Sequence, residues 1–296
     1  MKLFDKLILV TAIVVLQGCV STKNNDNATV GQLIIAEPLP VNYKSEIALA
    51  RLSEVLQRAE VTDSQRAQLF YDRGVIYDSV GLRSLARLDF NRALRLKPDL
   101  VNAYNFLGIH YTQLQEFNQA FDSFDSALDL APEHKYAYLN RGIALYYGGR
   151  PKLAQQDLIT FHQNATNDPY RILWLYLIDK KIDSNRADIA LKSRVELVEQ
   201  STWARKIIEL YLGDLSYSDF MQQISKNVKS NRAFTERLCE AYFYLGKHSQ
   251  LLGQDNIAAN YFKLALSTNV YEFVEHRYAK LELDLMRAKS LNPVAQ

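Results

Sequence analysis

The feature of this sequence that most restricts its fold is a repeat with a period of 34 residues. Large apolar residues, glycine, alanine and proline recur at seven fixed positions. They are Phe70, Gly74, Tyr77, Ala86, Phe90, Ala93 and Pro98 in the first unit, and Tyr104, Gly108, Tyr111, Ala120, Phe124, Ala127 and Pro132 in the second. Such a period is typical of solenoids, in which each unit buries its apolar face only against its neighbours.

The pattern weakens in the middle of the chain and then returns. Thr166 stands in the third unit where the earlier units have proline. The matching residues are Tyr138, Gly142 and Ala154 in the third unit, and Tyr242, Gly246, Ala258, Phe262 and Ala265 in a later one. We therefore expect regular units first, degenerate ones after them and a more regular unit near the end.

The spacing has a physical cause in two packed helices. Gly74 and Gly108 fall where the first helix of a unit meets the second, and a Cβ there would hold the helices apart. Ala86 and Ala120 serve the same purpose from the second helix. Proline ends that helix because it lacks an N–H and restricts the residue before it. The repeat therefore predicts helix–turn–helix units.

These seven positions resemble the tetratricopeptide repeat, whose consensus has aromatic residues and glycine in one helix and alanine, an aromatic residue, alanine and proline in the next. The composition agrees, because 11 glycines and 7 prolines are few helix breakers and 18 tyrosines suit packing between helices. The predicted fold class is all-α, a tetratricopeptide-repeat helical solenoid with extra flanking helices.

The N-terminus has the form of an export signal. Lys2 and Lys6 precede an apolar run at residues 7–16, which is too short to span a bilayer. The run ends in Leu16-Gln17-Gly18-Cys19, which resembles the bacterial lipobox. The resemblance implies cleavage before Cys19, with N-acyl and S-diacylglycerol groups on that residue. The alternative is an ordinary secretory peptide with a chance cysteine.

The residues after Cys19 indicate a destination. In lipoproteins of this type an Asp at the next position favours inner-membrane retention, so Val20 favours the outer membrane, with the chain facing the periplasm. Several acyl chains on one residue give stable anchoring. Residues 20–32 are polar and predict a tether. Residues 33–42 are apolar but contain Pro38 and Pro40, and we expect them to run extended across their own domain or a dimer partner.

The rest of the chain is also helical in pattern. Thr62 and Gln65 have the spacing of a capping box that opens the first repeat helix. The predicted organisation is a signal peptide, which is removed, at 1–18, a lipidated tether and extended lead at 19–42, an N-terminal helix at 43–66, repeats at 67–100, 101–134 and 135–168, degenerate repeat-like helices at 169–238, a repeat-like unit at 239–272 and a C-terminal capping helix at 273–296.

The sequence contains no signature of catalysis: no HExxH zinc pattern, no nucleophile elbow, no Walker loop and no dinucleotide fingerprint. Glu272 and His276 lie one helical turn apart, but no third metal ligand is indicated. Cys239 lies among the apolar and aromatic residues Leu238, Ala241 and Tyr242 and is interpreted as a small buried hydrophobe, with a reactive or intermolecular thiol as the alternative. His248 is too distant along the helix for a thiol–imidazole pair with it. We predict no enzyme, no cofactor and no metal site. Residues 146–149, Tyr-Tyr-Gly-Gly, are interpreted as a plain loop, with a hinge or contact tip as the alternative.

A repeat solenoid offers a concave groove lined by the first helix of each unit. The predicted groove surface mixes apolar and amide side chains, which suit an extended or helical peptide. Its residues are Gln68, Tyr71, Val75, Asp78, Asn102, Asn105, Ile109, Thr112, Tyr136, Leu139, Ile143 and Tyr146. It lacks the Lys and Arg that clamp a C-terminal carboxylate, and a formal net charge of +2 argues against nucleic acid as a partner.

The whole chain resembles the NlpI-type lipoproteins of gammaproteobacteria. The lipobox, the polar tether and the stretches at 71–75, 105–108 and 138–142 carry this resemblance. It implies a homodimeric outer-membrane adaptor that brings murein endopeptidases and other peptidoglycan hydrolases to a periplasmic C-terminal processing protease. Such an adaptor influences cell-wall growth and division. The alternative is a tetratricopeptide lipoprotein of an outer-membrane β-barrel assembly complex.

Overall fold

The computed structural model describes residues 34–58 and 60–291, and within them every regular element is a helix. The predicted signal peptide, the lipobox and the tether lie outside the described residues. The helices are α1 Tyr43–Arg58, α2 Asp63–Ser79, α3 Arg83–Leu96, α4 Val101–Gln113, α5 Phe117–Leu130, α6 Lys135–Tyr147, α7 Pro151–Gln163, α8 Pro169–Ile182, α9 Ser184–Val195, α10 Trp203–Leu212, α11 Tyr217–Ile224, α12 Asn231–Leu251, α13 Asp255–Ser267 and α14 Val274–Leu291.

Consecutive helices pack as pairs, and the pairs stack. The pairs are α2 with α3, α4 with α5, α6 with α7, α8 with α9, α10 with α11, and α12 with α13. The predicted fold class is confirmed in its architecture: the described chain is an all-α solenoid of stacked helix pairs with extra flanking helices. No described helix has the length and apolar character needed to cross a membrane.

The glycine positions act as the repeat spacing predicts. A Cβ built on Gly108 would lie 2.6 Å from the Phe124 ring, and one on Gly74 would lie 2.7 Å from the Phe90 ring. Both rings are fully buried. The missing side chain on one helix therefore makes room for the aromatic side chain on the other.

Helix ends follow local signals, although the unit bounds differ from those expected. The capping box of Thr62 and Gln65 is confirmed: the Gln65 N–H donates to the Thr62 hydroxyl, and the Thr62 N–H donates to the Gln65 side chain. Helix α2 thus begins at Asp63 rather than at residue 67, and α12 begins at Asn231 rather than at 239. The recurring aromatic residues lie inside their helices, so the spacing alone gives the period but not the first residue.

The apolar lead lies on its own domain. The Thr235 hydroxyl of α12 donates to the Glu37 carbonyl at 3.2 Å. The Leu39 N–H donates to the carbonyl of Thr268, just after α13, at 2.9 Å. We expected this segment to lie either on its own domain or on a dimer partner, and residues 34–42 lie on their own domain.

The last helix does more than close the stack. Helix α14 packs on α13 and also contacts α4, a first helix of a repeat. Tyr278 of α14 stacks on Tyr147 of α6 with ring centroids 5.3 Å apart. Arg277 of α14 is bonded to Asp78 of α2. The element expected as a terminal cap therefore crosses the first helices of three units.

Candidate functional site

The predicted groove is largely closed. Of its twelve residues, Gln68, Asn102 and Tyr136 are exposed, Tyr71, Val75 and Tyr146 are half-buried, and Asp78, Asn105, Ile109, Thr112, Leu139 and Ile143 are buried. The prediction of one continuous open groove through three repeats is therefore corrected. Two kinds of contact explain the burial, one between neighbouring repeats and one with α14.

Neighbouring first helices use part of the predicted surface for each other. The Asn140 amide of α6 donates to the side-chain oxygen of Asn105 on α4 at 3.0 Å, and both residues are buried. The Thr112 hydroxyl donates to the Gly108 carbonyl of its own helix at 2.8 Å. These polar groups satisfy one another inside the stack and are not available to a peptide.

Helix α14 covers the groove at the first two repeats. Asp78 accepts hydrogen bonds from His110 Nε2 at 2.7 Å and Arg277 Nη2 at 2.6 Å. Burial raises the pKa of Asp78, but the His110 hydrogen bond and the Arg277 charge outweigh it and lower the pKa. Burial lowers the pKa of His110 despite the neighbouring Asp78. The neutral imidazole of His110 thus donates a hydrogen bond to Asp78. The Asp78 carboxylate stays ionised and forms an ion pair with Arg277.

A second buried ion pair fixes the middle of α14. The Lys247 ammonium of α12 lies 2.5 Å from Glu282 Oε1 and 3.0 Å from the Tyr146 hydroxyl. The Tyr147 hydroxyl donates to the same Glu282 oxygen at 2.8 Å. The segment interpreted as a plain loop therefore contains two tyrosines of the last turn of α6 that bind α12 and α14, followed by Gly149 at φ 75°.

The groove stays open at its third-repeat end. A cavity of about 320 Å³ lies where the start of α6, the start of α8, α12 and the segment leading into α14 meet. Tyr136 on one wall is 61% exposed, and its ring lies 5.9 Å from that of the buried Phe161. The other aromatic rings lining this cavity, which we call the α6–α8 pocket, belong to Tyr170, Trp174 and Phe273.

Acidic side chains line the same pocket. They are Asp168, Glu240, Glu272 and Glu275. Asp168 caps α8 and pairs with Arg171 at 3.3 Å, and Arg171 lies over the Phe161 ring. Within the described part of the chain, none of the three glutamates forms an ion pair with Lys, Arg or His.

The two deeper glutamates accept hydrogen bonds from neutral groups. Trp203 Nε1 donates to Glu240 Oε2 at 2.9 Å, and the Tyr244 hydroxyl donates to Glu275 Oε1 at 3.2 Å. Burial raises the pKa of Glu275. Burial and the charge of Glu275 together raise the pKa of Glu240 to about 8. Among the described residues neither carboxylate forms an ion pair, and the charge of Arg237, which favours the ionised form of Glu240, is outweighed by burial and by Glu275.

The other residues considered from sequence have structural surroundings. His276 Nε2 donates to the Leu266 carbonyl at 3.1 Å, while Glu272 is exposed at the pocket. Among the described residues no group of three potential metal ligands is present. Cys239 is fully buried, as its apolar neighbours predicted, and burial raises the pKa of its thiol.

Sequence reasoning did not find most of the α6–α8 pocket. Of its lining residues, only Tyr136 and Leu139 belonged to the predicted groove. One usable signal was present in α8, where residues 172–178 are Ile-Leu-Trp-Leu-Tyr-Leu-Ile. A helix that is apolar all round is enclosed by other elements, and residues 172–179 are all buried. Such a helix marks the centre of the structure, beside which the pocket opens.

Comparison with known proteins agrees with the repeat geometry. Residues 101–134, which contain α4 and α5, match the family model described as tetratricopeptide repeat. This segment is a tetratricopeptide repeat. Stacked units of this kind form extended concave surfaces that suit the binding of proteins.

Solved structures with a similar course of the chain are distant in sequence. A tetratricopeptide repeat protein from Parabacteroides merdae is 17% identical, with a TM-score of 0.49 over 83% of this chain and 100% of that one. PilF of Pseudomonas aeruginosa is 16% identical, with a TM-score of 0.44 over 72% and 96%. PilW, described as a type IV pilus biogenesis factor, is 18% identical, with a TM-score of 0.40 over 79% and 97%.

Proposed function

We propose that this protein is a periplasmic adaptor, anchored in the outer membrane through Cys19, that binds other proteins at the α6–α8 pocket. Its partners are a C-terminal processing protease and peptidoglycan hydrolases, which it brings together and thereby influences cell-wall growth and division. The observation that carries the protein-binding part is the open end of an otherwise closed groove, with the exposed Tyr136 above a cavity of about 320 Å³.

The form of the pocket favours a polypeptide over a small metabolite. Aromatic rings give a large contact area with little loss of side-chain entropy, and they dominate the binding energy of protein interfaces. The pocket is open to solvent at Tyr136, where a polypeptide side chain can enter while the rest of the partner lies on the surface outside. The partner classes rest on the resemblance of the whole chain to NlpI-type lipoproteins.

Affinity capture from a detergent extract of cells tests the partner classes. We expect the wild-type protein to retain a processing protease and murein endopeptidases, and Tyr136→Ala to retain much less of them. Leu153→Ala is a matched control, because Leu153 is an exposed apolar residue of α7 outside the pocket. Recovery of β-barrel assembly proteins alone would favour the alternative function. Purified adaptor should also accelerate degradation of a hydrolase by the protease.

The anchor is tested independently of the partners. The sequence Leu16-Gln17-Gly18-Cys19 supports lipidation, and Val20 supports the outer membrane. Wild-type protein should incorporate radiolabelled palmitate and sediment with outer-membrane vesicles. Cys19→Ser should do neither. Incorporation with sedimentation in the inner membrane would contradict the proposed location.

Homodimer formation is the last part of the proposal. Helix α1 has no buried residue, and its apolar Ile47 and Val55 are exposed on one face. An uncovered apolar stripe suits a symmetric contact with a second copy. Light scattering should give a dimer for wild type and for Gln57→Glu, but a monomer for the Ile47→Glu, Val55→Glu double variant. A double variant that stays dimeric would place the contact elsewhere.

A further inference from the structure

Two glutamates of the α6–α8 pocket, Glu240 and Glu275, accept hydrogen bonds from neutral groups rather than from cations. Glu275 is 6% exposed, and its carboxylate accepts hydrogen bonds from its own backbone N–H and from the neutral hydroxyl of Tyr244. The positive charge of Arg237 favours the ionised form of Glu240, but the Arg237 guanidinium donates to the carbonyl of Lys226 at 2.7 Å. Buried carboxylates in folded proteins are normally paired with a cation. Among the described residues, the buried Glu275 and the half-buried Glu240 border the cavity without an ion pair, and Arg171, the basic residue of the lining, is paired with Asp168 instead.

Local structural roles account for only part of this arrangement. Glu275 lies in the first turn of α14, where a carboxylate favours the helix dipole. Glu240 holds the Trp203 indole. A glutamine would serve that second role without a titrating group at this position. Neither role explains why both carboxylates border one cavity together with Glu272 and five aromatic rings.

We propose that the α6–α8 pocket binds a lysine or arginine side chain of the partner polypeptide, with the cationic head at Glu240 and Glu275 and the aliphatic stem between the aromatic walls. This inference rests on the proposed function and names the chemistry by which that site selects a partner. Long basic side chains combine an apolar stem with a charged end. The pocket is arranged in a matching way, with the aromatic ring of Tyr136 at its exposed wall and the carboxylate of Glu275 in its buried part.

The protein already contains such an arrangement between its own helices. Lys247 is buried, its ammonium lies 5.1 Å from the centre of the Tyr146 ring, and it pairs with Glu282. Burial alone would lower the pKa of Lys247, but the Glu282 charge and its hydrogen bond reverse the direction and raise it. A charged lysine in aromatic surroundings is thus stabilised in this protein by an ion pair between its ammonium and one carboxylate. The α6–α8 pocket offers the rings and the carboxylates without the lysine.

Peptide titration tests the proposal on the full-length protein in detergent. The probes are acetyl-Gly-Leu-X-Leu-Gly-amide peptides in which X is lysine, arginine, norleucine or glutamate. The chain has two tryptophans, and both report on the site, since Trp174 lines it and Trp203 bonds to Glu240. Calorimetry provides a second readout that does not depend on fluorescence. We expect the lysine and arginine peptides to bind at least about tenfold more tightly than the norleucine peptide, the ratio that one charge-assisted hydrogen bond supplies.

Substitutions distinguish the contribution of the pocket's carboxylates to peptide binding from that of its aromatic walls. Glu240→Gln and Glu275→Gln should weaken binding of the lysine peptide far more than binding of the norleucine peptide, and so bring the ratio of the two affinities close to one. Glu133→Gln, an exposed carboxylate outside the pocket, should leave the ratio as in wild type. Tyr136→Ala should weaken all peptides alike, because it removes a wall and no charge. Thermal melting of each variant verifies that it is folded.

Three results would overturn the proposal. Equal binding of the lysine and norleucine peptides would show an uncharged peptide site, and the proposed adaptor function would remain. Spermidine binding as tightly as the lysine peptide would show a site for free polyamines. Absence of peptide binding at millimolar concentration would remove the basic side chain as the recognised group, while the capture experiment decides on the adaptor function separately.

Discussion

Arg277 of α14 donates a hydrogen bond from Nη2 to the Asp78 carboxylate of α2 at 2.6 Å, across 199 positions of the sequence. Both side chains are almost fully buried. His110 of α4 binds the other oxygen of the same carboxylate. The end of the chain is thereby tied to two successive repeats, and the groove stays closed over both of them.

Arg277→Met is expected to lower the free energy of unfolding by about 3 kcal/mol, because it leaves the buried Asp78 without its counter-charge. Urea denaturation followed by circular dichroism measures the change. Arg287→Met is the control: its pair with Asp284 is exposed, and its loss should cost less than about 1 kcal/mol. Equal effects of the two substitutions would mean that the buried pair does not hold α14 in place.

The raised pKa of Glu240 predicts how stability depends on pH. Its ordinary value is 4.5, and burial and the charge of Glu275 raise it to about 8 in the folded chain. The folded state therefore holds a proton that the unfolded state releases between these values. This group makes the protein less stable as pH rises from about 4.5 to about 8. Glu240→Gln cannot ionise, so its stability relative to wild type should increase over that interval.

Urea midpoints at pH 5, 7 and 8.5 measure this difference. The comparison of wild type with Glu240→Gln isolates one group, because every other titrating residue is shared by the two proteins. Curves that run parallel from pH 5 to 8.5 would show that Glu240 ionises in the folded protein as freely as in the unfolded one.

The repeats could be predicted from sequence because the forces that build them act over short distances along the chain. Gly108 meets Phe124 within one unit, and the spacing of two such residues is visible in one sequence. The capping box at Thr62 is more local still. The tie between Arg277 and Asp78 has no comparable signal, because no period relates residues in different elements that are so far apart.

The same limit applies to the candidate site. Tyr136 was recognisable as a groove residue because the repeat places it on a first helix. Glu240 and Glu275 have the spacing of ordinary surface residues on amphipathic helices. Only the return of α14 across the solenoid brings them to one cavity, where Glu275 is buried and Glu240 is half-buried. The closure of the groove and the charge of its open end thus have one non-local cause.

Gly108→Ala is expected to lower the free energy of unfolding by about 1–2 kcal/mol. The new methyl group would stand 2.6 Å from the Phe124 ring, and overpacking costs more than alanine gains in helix propensity. Phe124→Val removes the ring and costs stability by leaving a cavity. In the double variant the two losses should not add, because the methyl group enters the space that the ring leaves. A double-mutant cycle by urea denaturation measures the coupling, and strictly additive losses would contradict this contact.

Cys239 offers a direct measure of how firmly α12 is enclosed. Its thiol is fully buried, and burial raises its pKa far enough to suppress the reactive thiolate at neutral pH. In the Cys19→Ser variant it is the single thiol of the chain, which has two cysteines in all. We expect its reaction with a disulfide reagent at pH 8 to be at least about a hundredfold slower than that of glutathione. Reaction should reach one equivalent after unfolding in urea. The slow native rate would then report the opening of the helix packing around α12, whereas a rate equal to that of glutathione would mean that this part of α12 is open to solvent.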